Sequence, residues 1–127
     1  MTESQEQAKF VKWFRSKYPS EAMALRVSMN GITFGGSGKW GAIMWNKMKA
    51  QGLAVGEPDI MICLPSRGFR NLVIEHKALL QQHGITEEQE EHLFWHAARG
   101  NLAVLTKGID NLKELVEEYM SHAKTNT

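Results

Sequence analysis

The sequence predicts an α/β layered domain, a mixed β-sheet flanked by helices, on three observations. Segments with apolar residues three and four apart alternate with short runs rich in β-branched and large apolar residues, in the order α-β-α-β-β-α-β-α. Two of those runs, "DIMICLP" and "NLVIEHKAL", are separated only by a short stretch holding Gly68, which suits a hairpin. At 127 residues the chain has the length of one domain with one core, so residues 1–127 are read as a single unit.

Each element has a local reason. Residues 5–18 carry Phe10, Val11 and Phe14 at helical spacing, with Lys9, Lys12 and Arg15 mostly on other faces, and Pro19 closes the segment. "AMALRVSM" (22–29) reads as a short strand ended by Asn30-Gly31, a dipeptide that readily takes the positive φ of tight turns. "FGGSGKWG" has the glycines of a phosphate-cradling loop but not their spacing, and Trp40 stands where Ser or Thr would bind magnesium, so a P-loop is rejected. Residues 40–51 form a second helix through Ile43, Met44, Lys47 and Met48, ended by Gly52. Thr86 and Gln89 make a capping-box pattern that starts a third helix running to Gly100. "LAVLT" (102–106) is a strand, and "IDNLKELVEEYMSH" is a closing amphipathic helix with Ile109, Leu112, Leu115, Val116 and Tyr119 on one side.

Composition narrows the function classes. Apolar runs fall far short of the roughly 20 residues that span a bilayer, and "MTESQEQAKF" has no apolar signal core, so no membrane partner and a cytoplasmic location are expected. Cys63 stands alone and is expected to be a buried small hydrophobe. The net charge of +1 hides a basic first half: residues 1–50 hold 8 Lys/Arg against 3 acids, and residues 51–127 hold 7 against 11. Such segregation suits a polyanionic partner, although a solvated helix face gives the same count.

The informative feature is charge inside strands. With a side-chain period of two, Glu75 and Lys77 project from one face of their strand, about 6.6 Å apart at Cα, while Ile74 and His76 face the other way. The hairpin partner can bring Asp59 to the same face. Two neighbouring carboxylates repel unless a cation lies between them. Mg2+ or Mn2+, held by Asp59, Glu75 and the main-chain carbonyl of His76, is the natural ion, and Lys77 would orient an attacking water or stabilise charge on a phosphate. The bland readings are Asp59 as a turn residue after Pro58, and Glu75 with Lys77 as an exposed edge-strand pair.

"GEPD", followed sixteen residues after Asp59 by the glutamate of "IEHK", resembles the PD-(D/E)xK nuclease signature. The ordered set "MNG", "GLAVGEPD", "IEHK" and "Q…G…AVLT" is similar to the VRR-NUC family of virus-type replication-repair nucleases over nearly the whole chain. The resemblance implies a restriction-endonuclease-like core, Mg2+ or Mn2+ dependence and structure-selective DNA cleavage. It further implies a Holliday-junction resolvase-like homodimer acting on four-way DNA in a bacterial or phage-infected cell, the reading favoured for a chain with no fused module. A monomeric flap or nicking endonuclease and a non-catalytic DNA-binding module are the alternatives. Family helices add a glutamate and a glutamine on the first helix, for which Glu3 and Gln7 fit best because they share the face of Phe10 and Phe14 while Glu6 lies toward its margin, and a glutamine after the second motif, matched by Gln89. Gln89 also has its capping-box role, and His76 departs from the apolar residue expected between Glu75 and Lys77.

Other polar residues have weaker claims. His92 and His96 lie four apart without an evident third ligand, and His83 and His122 read as loop and terminal residues. Trp13, Trp40, Trp45 and Trp95 are expected in core or dimer contacts before base stacking. Lys39, Lys47, Lys49, Arg67 and Arg70 are the candidates for DNA contact, against a solubilising role.

Overall fold

The computed structural model describes residues 1–28, 39–52, 55–82 and 84–123. The whole "MNG" motif with its Asn30-Gly31 turn, the glycines before Lys39, residues 53–54 of "GLAVGEPD" and His83 lie outside them. The elements are α1 (Glu3–Lys17), a 3-10 helix (Pro19–Ala24), β1 (Leu25–Val27), α2 (Lys39–Ala50), β2 (Ile60–Ile62), β3 (Leu72–Lys77), α3 (Glu87–Ala97), β4 (Leu102–Lys107) and α4 (Ile109–Ser121). The sheet has the order β1-β2-β3-β4, antiparallel for the first two pairs and parallel for β3 with β4. Both the mixed sheet and the hairpin of β2 with β3 match the pattern of the sequence.

Helix α1 begins earlier than its apolar spacing suggests because Thr2 and Gln5 form a capping box. Gln5 N donates to Thr2 Oγ1 at 3.2 Å and Thr2 N donates to Gln5 Oε1 at 2.8 Å. Pro19 then starts a 3-10 helix that absorbs Ala22, Met23 and Ala24, so only Leu25–Val27 is extended where a longer strand is expected. Alanine and methionine favour helical backbone and bring no β-branching, which leaves the strand to Leu25, Arg26 and Val27.

Register sorts the side chains onto two faces. Leu25, Ile62 and Leu72 are aligned across the sheet, as are Ile60, Ile74 and Val104. That face packs against Phe10 and Phe14 of α1 and Leu112, Val116, Tyr119 and Met120 of α4, forming the core. Each such side chain stabilises the fold by about 1.5–3 kcal/mol when fully buried. The opposite face carries Met61, Val73 and Ala103 in register, with α3 packed against β3 and β4. Cys63 follows the same alternation away from the Ile60/Ile62 face and is exposed, contrary to the buried position expected of it.

Candidate active site

Strand β3 lies between β2 and β4, and all six of its residues are buried, which removes the reading of Glu75 and Lys77 as an exposed edge pair. Ile60 pairs with Ile74, so the next position outward sets Asp59 opposite Glu75. Asp59, Glu75 and Lys77 are only 8, 1 and 9% exposed. Asp59 Oδ2 accepts a hydrogen bond of 2.8 Å from the main-chain N–H of His76. In a strand, a residue's N–H and C=O point to the same side, so the His76 carbonyl is also directed toward Asp59. The three side chains expected to converge are therefore brought together at one end of the sheet.

Their electrostatics are strained. Lys77 Nζ lies 3.5 Å from Glu75 Oε1, an ion pair without hydrogen-bond alignment, and both Glu75 oxygens are buried with no hydrogen-bond partner. Burial, reinforced by the neighbouring Asp59, pushes the Glu75 carboxyl up to about 8, while Lys77 opposes the shift. Asp59 is also raised by burial, against the His76 N–H, the adjacent Glu75 carboxyl and Lys77, which favour its charged form. A buried carboxylate without partners is costly, and a cation between the two acids would supply what both lack. Among the described residues no three His, Cys, Asp or Glu side chains converge to hold an ion. Two carboxylates and a carbonyl suit a small hard ion that keeps several waters, and the donor set fits Mg2+ or Mn2+.

The two first-helix acids have different surroundings. Glu3 is half-buried, and its carboxyl is raised by burial, Asp59 and Glu6, while Lys77 and His76 lower it. Glu6, expected toward the margin of the Phe10/Phe14 face, is instead 3% exposed within it. Residues 6, 10 and 14 are spaced by four, so they share a face as well as 3, 7, 10 and 14 do. Glu6 Oε1 lies 2.9 Å from His76 Nε2, and His76 Nδ1 lies 2.7 Å from Thr106 Oγ1. That buried group behind the strand has no signature in the sequence, since its members are 70 and 30 residues apart.

The loop before Asp59 is fixed against α3. Gly56 has φ +82, and a Cβ there would come within 2.7 Å of the Glu88 main-chain carbon. Only glycine fits both demands. Gln89, at this contact, forms the expected capping box: its Oε1 accepts from Thr86 N at 2.8 Å and its N donates to Thr86 Oγ1 at 3.1 Å. Its side-chain oxygen is thus committed to starting the helix. A cavity of about 430 Å³ beside this loop is lined by Glu57, Glu91, His92, Trp95 and His96. Burial, then His92, lowers the His96 pKa. Arg99 stacks on exposed Trp95 at 3.8 Å, and Trp13 packs against Phe10 and Tyr18.

The basic candidates lie in separate places. Lys39, Lys47 and Lys49 are exposed along α2, with Lys49 over the Trp45 ring at 5.9 Å. Arg67 and Arg70 belong to the β2–β3 connection, which joins the strand ends opposite those carrying Asp59 and Lys77. Arg67 is bound to Glu118 at 2.8 Å and contacts His122, and Arg70 packs against Gly100.

No family model and no curated protein matches the sequence. The fold is that of a solved structure described as a VRR_NUC domain protein, with a TM-score of 0.78 and 22% identity over 99% of this chain and 93% of that one. The restriction-endonuclease-like core and the resemblance read from the motifs are therefore met at the level of the fold. No helix among the described residues is long and apolar enough to cross a membrane.

Proposed function

We propose that this chain is a divalent-metal-dependent, structure-selective DNA endonuclease of the VRR-NUC type, a single domain that hydrolyses phosphodiester bonds in branched DNA. The observation that carries the reading is the buried Asp59–Glu75–Lys77 cluster, in which both oxygens of an inward-facing carboxylate lack hydrogen-bond partners. Its likeness in fold to a VRR_NUC domain protein supports the same reading.

Asp59, Glu75 and the His76 carbonyl would hold Mg2+ or Mn2+. When bound, such an ion supplies Lewis-acid polarisation of a phosphate and water of lowered pKa. The His76 N–H holds Asp59 Oδ2 and so fixes the direction of the other oxygen. Lys77, a donor with no acceptor capacity, orients the attacking water or stabilises negative charge developing on the phosphate. Glu3, from the start of α1, feels the charge of Asp59 and would act on the site electrostatically rather than as a ligand. Gln89 contributes by anchoring the first turn of α3 against the Gly56 loop. Exposed Lys39, Lys47 and Lys49 along α2 would contact phosphates from more than one side of the helix, and Arg67 and Arg70 would reach a DNA arm at the far end of the sheet. A homodimer acting in the cytoplasm of a bacterial or phage-infected cell would place two such sites for matched cuts in a four-way junction.

Incubation of a labelled four-way junction, a flap and a linear duplex with Mn2+ at matched salt tests the reading. Paired symmetric nicks in the junction, absent without metal and lost in Lys77→Ala, are the expected result. No cleavage of any substrate would overturn it, and cutting of the flap alone would replace resolution by flap removal.

A further inference from the structure

His76 serves both faces of β3. In front, its N–H donates to Asp59 Oδ2 at 2.8 Å. Behind, its ring is fully buried between Glu6 of α1, at 2.9 Å, and Thr106 of β4, at 2.7 Å. The second Glu6 oxygen accepts from Leu79 N at 3.2 Å, just beyond the end of the strand, and Lys77 O accepts from Gly108 N at 2.9 Å. The segment that presents the charged cluster is thus tied at residues 76, 77 and 79 to three different parts of the fold.

The chemistry of the trio defines its direction. A carboxylate only accepts, so His76 Nε2 carries the proton given to Glu6, and Nδ1 shares a hydrogen bond with the Thr106 hydroxyl, which can donate or accept. Both ring nitrogens are then satisfied, as a buried polar network must be if it is to rigidify rather than destabilise. An apolar side chain at this position would fill the same space without setting a rotation. Two directional bonds to the ring fix the side chain, and through it the peptide whose N–H holds Asp59.

We propose that Glu6 and Thr106, acting through the His76 side chain they grip, are positioning residues for the Asp59 carboxylate. The importance of that positioning for cleavage rests on the nuclease reading above; the mechanical link from Thr106 to Asp59 does not. Groups that orient metal ligands from behind are worth about 10- to 100-fold in affinity or activity.

The test compares Thr106→Val, Thr106→Ser and Glu6→Gln with wild type by calorimetric titration of Mn2+, by the His76 main-chain amide resonance and by thermal melting. Thr106→Val removes the hydroxyl at nearly constant volume. It is expected to weaken Mn2+ binding about 10-fold and to move the His76 amide toward its position in Asp59→Asn. Thr106→Ser, which keeps the hydroxyl, should restore both, an outcome that loss of packing alone would not give. Glu6→Gln, whose amide cannot accept from both His76 and Leu79, should act in the same direction and serves if the valine variant fails to fold. Folded variants with Mn2+ affinity within about twofold of wild type and an unmoved His76 amide would overturn the proposal. Wild type that binds no Mn2+ would remove the nuclease reading instead; the amide would still decide the link, movement supporting it and constancy refuting it.

Discussion

The two faces of β3 are built from alternating residues of one six-residue strand, and they treat polar groups in opposite ways. Behind the strand, the His76 ring finds Glu6 on one nitrogen and Thr106 on the other. In front, one residue to either side, Glu75 has two buried oxygens without a hydrogen bond and Lys77 approaches it only as an ion pair. The sheet's register cannot explain the difference, since both faces share it. Satisfied bonds behind the strand hold the main chain still, and the unpartnered carboxyl oxygens in front are what a ligand would complete. The difference separates a stability role from a binding role within three consecutive residues.

The largest effects are expected in front. Lys77→Ala and Glu75→Gln should each lower the cleavage rate by at least about 10²- to 10³-fold, the usual cost of losing a group aimed at transition-state charge or its support. Single-turnover cleavage of a labelled junction reads this out. Behind the strand, Glu6→Ala leaves His76 Nε2 and Leu79 N without their acceptor, and denaturant unfolding should show a loss of about 1–3 kcal/mol. Gly56→Ala forces a Cβ against α3 at positive φ and should cost a similar amount, about 1–3 kcal/mol by the same measurement.

The same contrast predicts a gain. Above about pH 8, where Glu75 ionises, Glu75→Gln removes a buried charge that the fold does not satisfy, so the metal-free variant should there be more stable than wild type by about 0.5–2 kcal/mol while losing activity. The smallest effect is on pH dependence. Glu75 is raised from its ordinary 4.5 to about 8, so between those values the folded chain keeps a proton that the unfolded chain has lost. Its contribution to stability is therefore present in full below about 4.5 and is lost as pH rises toward 8. Thermal melting of the metal-free protein should fall across that window more in wild type than in Glu75→Gln, and Mn2+ should restore more stability at pH 8 than at pH 5.

Much of this arrangement could be read from the sequence because it is local. Alternation along "IEHK" assigns Glu75 and Lys77 to one face and His76 to the other, and the turn residues between "DIMICLP" and "NLVIEHKAL" fold Asp59 back toward them. Capping at Thr86 was legible for the same reason. Thr2 and Gln5 carry an equivalent pattern, which would have placed the start of α1 correctly. What escaped depends on packing. Glu6 and Glu3 both satisfy the helical period, and only the position of His76 decides which acid is buried. Thr106 reaches His76 through the parallel pairing of β4, a contact that no short segment encodes. Cys63 and the shortened β1 follow from where strands end, which periodicity leaves open.

The central claim is that the front of β3 awaits a hard cation where burial now favours the protonated form of Glu75. Calorimetric titration of Mn2+ at pH 7, repeated in two buffers of different ionisation enthalpy, measures both affinity and proton release. With Glu75 raised to about 8, binding should release close to one proton per ion, chiefly from that carboxyl, and should be lost in Glu75→Gln. Binding with no proton released, or with equal affinity in the glutamine variant, would contradict it.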